Sequence, residues 1–235
     1  MLIQPLRSVI REPLWVARSL SRNNLLFVNR EQRSLIRAVR PYTLLGVGRL
    51  RSLWRLANLV VHEGMPGTFV ECGSYNGGSG ALLAYVASRY GRATWLFDSF
   101  EGLPPPSAHD ITFSGDRGDT GDFKGSKDKV RQVLREVGVS PSAVQIVPGW
   151  FQDTLPSSAT GPVALLHIDA DWYQSTRTVL EALYDRVVAG GVVVLDDYAF
   201  WQGHKRAVDE FLVERGERPV IHQSGFPSAW FRKTS

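Results

Sequence analysis

From residue 68 onward the chain alternates short apolar runs with stretches whose apolar residues recur every three or four positions. Runs at 68–72, 94–98, 143–147, 163–169 and 191–196 predict strands, and the periodic stretches at about 78–90, 126–138, 173–189 and 203–215 predict helices. Strands that are apolar throughout and separated by helices belong to a parallel sheet covered on both faces, so the fold class is α/β with an open, doubly wound sheet. Two last runs, 220–223 and 229–232, stand close enough together to predict an antiparallel hairpin at the sheet edge. Upstream, Leu50, Leu53, Trp54, Ala57 and Val61 share one face of a helix over 48–62, which Gly64 and Pro66-Gly67 stop.

The 235 residues suit one core large enough to bury a whole sheet, and no repeat or low-complexity tract divides them. Charge refines this picture. Residues 1–60 hold eleven arginines against Glu12 and Glu31, so the basic character belongs to an N-terminal helical segment, 1–64, and not to the α/β domain, 65–235. That segment is read first as a solvated face and packing arm, implying a homo-oligomer. A second reading is peripheral contact with an anionic membrane through Leu14, Trp15, Arg18 and Leu20. No nucleic-acid motif accompanies the arginines, and Arg7, Arg11, Glu12 and Arg18 interrupt any signal-peptide core or transmembrane segment. The single cysteine, Cys72, is read as a buried residue in a reducing, cytoplasmic compartment.

In a doubly wound sheet, ligands bind beyond the carboxyl ends of the strands. After the first strand stand Glu71-Cys72-Gly73-Ser74-Tyr75-Asn76-Gly77-Gly78, a glycine turn that lacks the spacing of dinucleotide or phosphate loops. Glu71 there disfavours a diphosphate and suits a ligand with cationic and hydroxyl groups, such as S-adenosylmethionine. Asp98, 25 residues after Gly73, is placed to accept a ribose diol. Trp150, after Pro148-Gly149, either stacks on an adenine or fills the core.

The fourth and fifth strands end in His167-Ile168-Asp169-Ala170-Asp171-Trp172-Tyr173 and Leu195-Asp196-Asp197-Tyr198. Neighbouring parallel strands end about 4.8 Å apart, so the four aspartates converge. A hard divalent cation, Mg²⁺, Ca²⁺ or Mn²⁺, would relieve their repulsion. Asp169, Asp196 and Asp197 are assigned to that ion. Asp171, one step farther out, is assigned to proton abstraction beside Asp169. Each aspartate taken alone would also serve as a helix cap. Tyr173, Tyr198 and His204 are the candidate acceptor contacts, and His167 is read as a core histidine.

These residues resemble the macrocin O-methyltransferase (TylF/MycF-like) family over about 42–233. The likeness rests on Met65-Pro66-Gly67-Thr68-Phe69-Val70-Glu71-Cys72-Gly73, Phe97-Asp98-Ser99-Phe100-Glu101-Gly102-Leu103-Pro104, the Pro148-Gly149-Trp150-Phe151 run, the two acidic motifs, and Ala207-Val208-Asp209-Glu210-Phe211. The resemblance implies a Rossmann-like class I methyltransferase that uses S-adenosylmethionine and Mg²⁺ to methylate a sugar hydroxyl on a glycoside or oligosaccharide. It implies cofactor contacts from Glu71, Gly73, Ser74 and 98–102, including Ser99, Phe100 and Gly102, with Tyr42-Thr43 closing over them. A catechol-type O-methyltransferase and a non-catalytic assembly module are the alternatives.

Overall fold

The computed structural model describes residues 30–234. The interfacial-helix reading of 14–20 and most of the arginine-rich arm lie outside the described residues. Helix α1, Arg30–Val39, buries Leu35, Ile36 and Val39 at helical spacing, and α2, Val47–His62, buries Leu50, Leu53, Ala57 and Val61. Then come β1 (Thr68–Cys72), α3 (Gly78–Ser88), β2 (Thr94–Asp98), α4 (Lys127–Glu136), β3 (Val144–Pro148) and the short α5 (Phe151–Thr154). They are followed by β4 (Val163–Ile168), α6 (Tyr173–Leu183), β5 (Val187–Leu195), α7 (Gln202–Glu214), β6 (His222–Gln223) and β7 (Ala229–Arg232). No helix among the described residues is long and apolar enough to cross a membrane.

The sheet order is β3-β2-β1-β4-β5-β7-β6, with β1 to β5 parallel and the terminal hairpin antiparallel. Every residue of β4 is buried, His167 included, as expected of a central strand covered on both faces. Alternation sends Phe69, Leu165, Val192 and Val194 to one face, under α1 to α4. Val70, Cys72, Leu166, Ile168 and Val193 go to the other, under α6 and α7. The N-terminal helices thus share a core with the α/β elements.

One boundary differs from the periodic reading. The helix expected over 173–189 ends at Leu183, and Val187 already pairs with Val163. The next pair is Leu165 with Val192, so β5 advances five residues where β4 advances two. Gly190, at φ 77°, lies in the bulge this creates. A valine-rich run continuing out of a helix cannot reveal such a break, because only the neighbouring strand dictates where pairing resumes.

The strand order reverses between β1 and β4, and the crevice this leaves holds the strand ends of interest.

Candidate functional site

The chain leaves β1 through Gly73-Ser74-Tyr75-Asn76-Gly77 and enters α3. Gly73 has φ 93°, and a Cβ there would lie 1.7 Å from the Asp169 carbonyl oxygen. Glycine is therefore needed for the β1 and β4 ends to touch, whatever approaches from outside. Gly73→Ala is expected to cost about 3 kcal/mol and lower the thermal midpoint by roughly 10 °C. Thermal unfolding checks this, and an unchanged midpoint would contradict it.

Asp98 grips the turn from β2: Oδ2 accepts the Ser74 and Tyr75 amides at 2.7 Å each, and Oδ1 accepts the Phe100 amide at 2.7 Å. Burial pushes its carboxyl above the usual range, against those three donors. A carboxylate has about four lone-pair sites, so one is left for a further donor.

A cavity of about 1020 Å³ opens over these strand ends. Among its lining residues are Thr43, Gly73, Ser74, Tyr75, Asp98, Ser99, Gly102, Gly149 and Trp150, joined by Asp169, Asp171, Asp196 and Asp197. Four residues expected at the cofactor do not line it, one of them Glu101, which pairs with Lys124 at 3.1 Å. Glu71 lies fully buried in the sheet, its Oε1 3.0 Å from His167 Nδ1, because its place in β1 turns it toward α3. Tyr42 donates its hydroxyl to Glu136 at 2.7 Å, and Phe100, at φ 56°, packs on the core beneath the turn.

One oxygen each from Asp169, Asp171 and Asp197 lies within 4.8 Å of the others. Asp196 stands apart from that trio: Arg49 forms an ion pair with its Oδ2, Ser228 donates to its Oδ1 at 2.6 Å, and His167 Nε2 is 3.9 Å away. The electrostatics divide the same way. Burial, and then the charges of Asp196 and Asp171, hold the Asp169 carboxyl well above the usual carboxylate range. Burial, then Asp171 and Asp169, do so for Asp197. Burial also lifts Asp171 to about 7, opposed by the Trp201 indole, which donates to its Oδ1 at 2.8 Å. For Asp196 burial is outweighed by His167, Arg49 and Ser228, which keep its carboxyl below the usual range. His167 is more than packing: burial disfavours its charge, but Asp196 and Glu71 raise it to about 9, leaving it protonated.

None of the three candidate acceptor contacts lines the cavity. Tyr173 donates to Glu210 at 2.7 Å and Tyr198 to Asp209 at 2.7 Å, both on α7. His204 is buried with Nδ1 3.0 Å from Thr176 Oγ1, and burial lowers it to about 4, so it is neutral. Their neighbours line the space: Trp172, Phe200 and Trp201, with Phe226-Pro227 from the hairpin turn and Leu44 and Arg49 from the N-terminal segment. A one-residue error in facing is enough to move a contact to the wrong side of a helix start. Arg49 was masked by its setting among other arginines of an amphipathic helix, and no local signal distinguishes it.

The model of the macrocin-O-methyltransferase (TylF) family matches residues 22–233. The 8-demethyl-8-(2,3-dimethoxy-alpha-L-rhamnosyl)-tetracenomycin-C 4'-O-methyltransferase of Streptomyces olivaceus is 35% identical over 200 residues, 83% of this chain and 76% of that protein. The demethyldecarbamoylnovobiocin O-methyltransferase of Streptomyces niveus is 33% identical over 184 residues, 72% and 67% of the two chains. Among solved structures, that of the O-methyltransferase NovP superposes with a TM-score of 0.73 at 29% identity, covering 83% of each chain. With the seven-stranded sheet, its glycine turn and its clustered strand-end carboxylates, this match places the chain in the macrocin-O-methyltransferase (TylF) family of O-methyltransferases.

Proposed function

We propose that the protein transfers a methyl group from S-adenosylmethionine to a hydroxyl of a sugar carried on a glycosylated acceptor, with a divalent cation at the aspartate cluster. The observation that carries this reading is one cavity lined both by the glycine turn with Asp98 and by four strand-end carboxylates. One relative's name adds support, since the Streptomyces olivaceus protein is named as a 4'-O-methyltransferase of a rhamnosyl-tetracenomycin.

The residues present fit both absent groups. Beside the glycine turn, Ser74 Oγ is buried with no hydrogen-bond partner among the described residues, and Asp98 keeps one acceptor position. S-adenosylmethionine, when bound, supplies a methyl group on a positively charged sulfur. Gly73, Ser74, Tyr75, Asp98, Ser99, Gly102, Gly149 and Trp150 would hold it, with Thr43 above. In the acidic cluster Asp197 Oδ2 is buried without a partner among the described residues, and the Arg49 guanidinium already stands as a cation on Asp196. An all-oxygen donor set suits Mg²⁺ or Mn²⁺. The ion, when bound, supplies positive charge that eases loss of the acceptor's proton.

Asp169, Asp196 and Asp197 would hold the ion if Arg49 swings off Asp196, which leaves Asp171 to take the proton. The compactness of the Asp169, Asp171 and Asp197 trio favours a second assignment, with Asp171 as the third ligand. Mn²⁺ affinity separates the two, since only the first is weakened more by Asp196→Asn than by Asp171→Asn. As the methyl group moved from sulfur to the acceptor oxygen, Asp171 would take the hydroxyl proton. The chain's remaining work is positioning and exclusion of water. The same proposal puts the enzyme in the cytoplasm, with Cys72 buried and unpaired.

Mass spectrometry of glycosides and catechols incubated with the protein, S-adenosylmethionine and Mg²⁺ tests the reading. A gain of one methyl on the sugar is expected, and methylation of catechols alone would overturn it. Because burial and neighbouring charge favour the protonated carboxyls while an ion favours the carboxylates, Mn²⁺ binding should release protons and weaken as pH falls. Calorimetry in buffers of different ionisation enthalpy measures that release.

A further inference from the structure

Asp171 occupies an unusual position. Its φ is 51°, in the left-handed region that a non-glycine residue seldom adopts, and its carboxylate is gripped at one oxygen only. The donor is the Trp201 indole N–H, 2.8 Å from Oδ1; Oδ2 accepts no hydrogen bond among the described residues. An indole N–H donates and never accepts, so it can orient a carboxylate without competing for the proton that carboxylate takes up.

The indole is itself immobilised. Trp201 is 4% exposed and meets Trp172 edge to face, with ring centres 4.8 Å apart at 82°, and Phe200 at 5.2 Å and 83°. Across this aromatic cluster lies the long connection between β2 and α4. It is tied down by the Trp172 indole, which donates to the Pro104 carbonyl at 2.8 Å, and by a β-bridge between Thr112 and Trp201. Gly118 fits against the same rings, since a Cβ there would come within 2.7 Å of Trp172 and 3.5 Å of Trp201.

We infer that Trp201 is the positioning residue for Asp171: its N–H fixes Oδ1 so that Oδ2 is the oxygen offered to the acceptor hydroxyl, and the loop over 103–122 locks that indole in place. This rests on the proposed role of Asp171 as proton acceptor. It also assigns the loop a part in catalysis that acts through the indole it holds.

The test replaces Trp201 by 3-benzothienylalanine, which keeps the shape of the indole and removes only the donor, with Trp201→Phe and Gly118→Ala alongside. The isostere should lower kcat about ten-fold, as expected for a misaligned reacting group. The acceptor KM, the S-adenosylmethionine affinity and the thermal midpoint should stay near those of the unaltered protein. In an Asp171→Asn background the isostere should cause no further loss, because the group it positions has gone. Unchanged kcat for the isostere, with Asp171→Asn inactive, would overturn the positioning role and leave the base intact. An equal loss in both backgrounds would mark Trp201 as a packing residue only, and full activity of Asp171→Asn would remove the base assignment and this inference with it. Should Trp201→Phe fold poorly, Gly118→Ala still decides the loop's part: a kcat loss without a KM change supports it, and unaltered kinetics overturn it.

Discussion

Asp171→Asn is expected to lower kcat by about three orders of magnitude, the usual worth of a positioned proton acceptor, while S-adenosylmethionine still binds. The amide oxygen can accept the Trp201 N–H as the carboxylate does, so the side chain should keep its place and lose only its basicity. Burial, the largest influence on this group, lifts its carboxyl to about 7. The base is the deprotonated form, so methyl transfer should rise as pH rises through that region. A bound divalent ion favours the carboxylate and should move the inflection to lower pH. Steady-state rates with an acceptor, from pH 5.5 to 9 and at two Mg²⁺ concentrations, report both effects, the range being roughly two units either side of the expected midpoint. A variant with undiminished kcat would put proton abstraction elsewhere.

The second large effect is expected from Asp169→Asn combined with Asp197→Asn. These two belong to either set of three ligands considered above, so their loss should weaken Mn²⁺ binding by at least about 100-fold and reduce activity to the level seen with a chelator. Stability should move the other way. Both carboxyls are raised in the folded chain, so the folded state binds their protons more tightly than the unfolded state does. Their contribution is therefore unfavourable at neutral pH and becomes less so as pH falls. Without added ion the double variant should melt at a higher temperature than the unaltered protein. With Mn²⁺ the order should reverse, because only the unaltered protein gains from ligand binding. A lower midpoint for the variant in metal-free buffer would show that the carboxylates stabilise the fold rather than strain it.

On the proposed function, activity and stability pull against each other at the ends of β4 and β5. Asp196 escapes this conflict, since Arg49, Ser228 and His167 hold its charge. His167 in turn contacts Glu71, so a line of buried polar side chains runs through the sheet from β1 to Asp196 in the cavity wall. A bound ion would enter at one end of a line already balanced, with Arg49 as the group that can yield.

The largely apolar runs at 68–72 and 163–169, broken only by Thr68, Glu71, His167 and the closing Asp169, were legible as central parallel strands because a strand covered on both faces must be mostly apolar in consecutive residues. Asp98 and the four acidic residues were legible for the same reason: a polar residue ending such a run lies on the ligand side of the sheet wherever the strand is placed. Facing and partnership were not. Whether Tyr173 or Trp172 turns into the cavity depends on how α6 packs against α7, and the Tyr173 hydroxyl finds Glu210 only when those helices meet. Arg49 reaches Asp196 across 147 positions of chain, a pairing that no local pattern encodes. By itself the sequence determined the sheet, its ligand-bearing edge and the acidic character of that edge, because these follow from periodicity and strand ends. Only the tertiary structure decided which carboxylates share a centre, which one holds a cation already and which indole grips Asp171. Those depend on side-chain directions that are set when distant elements pack together.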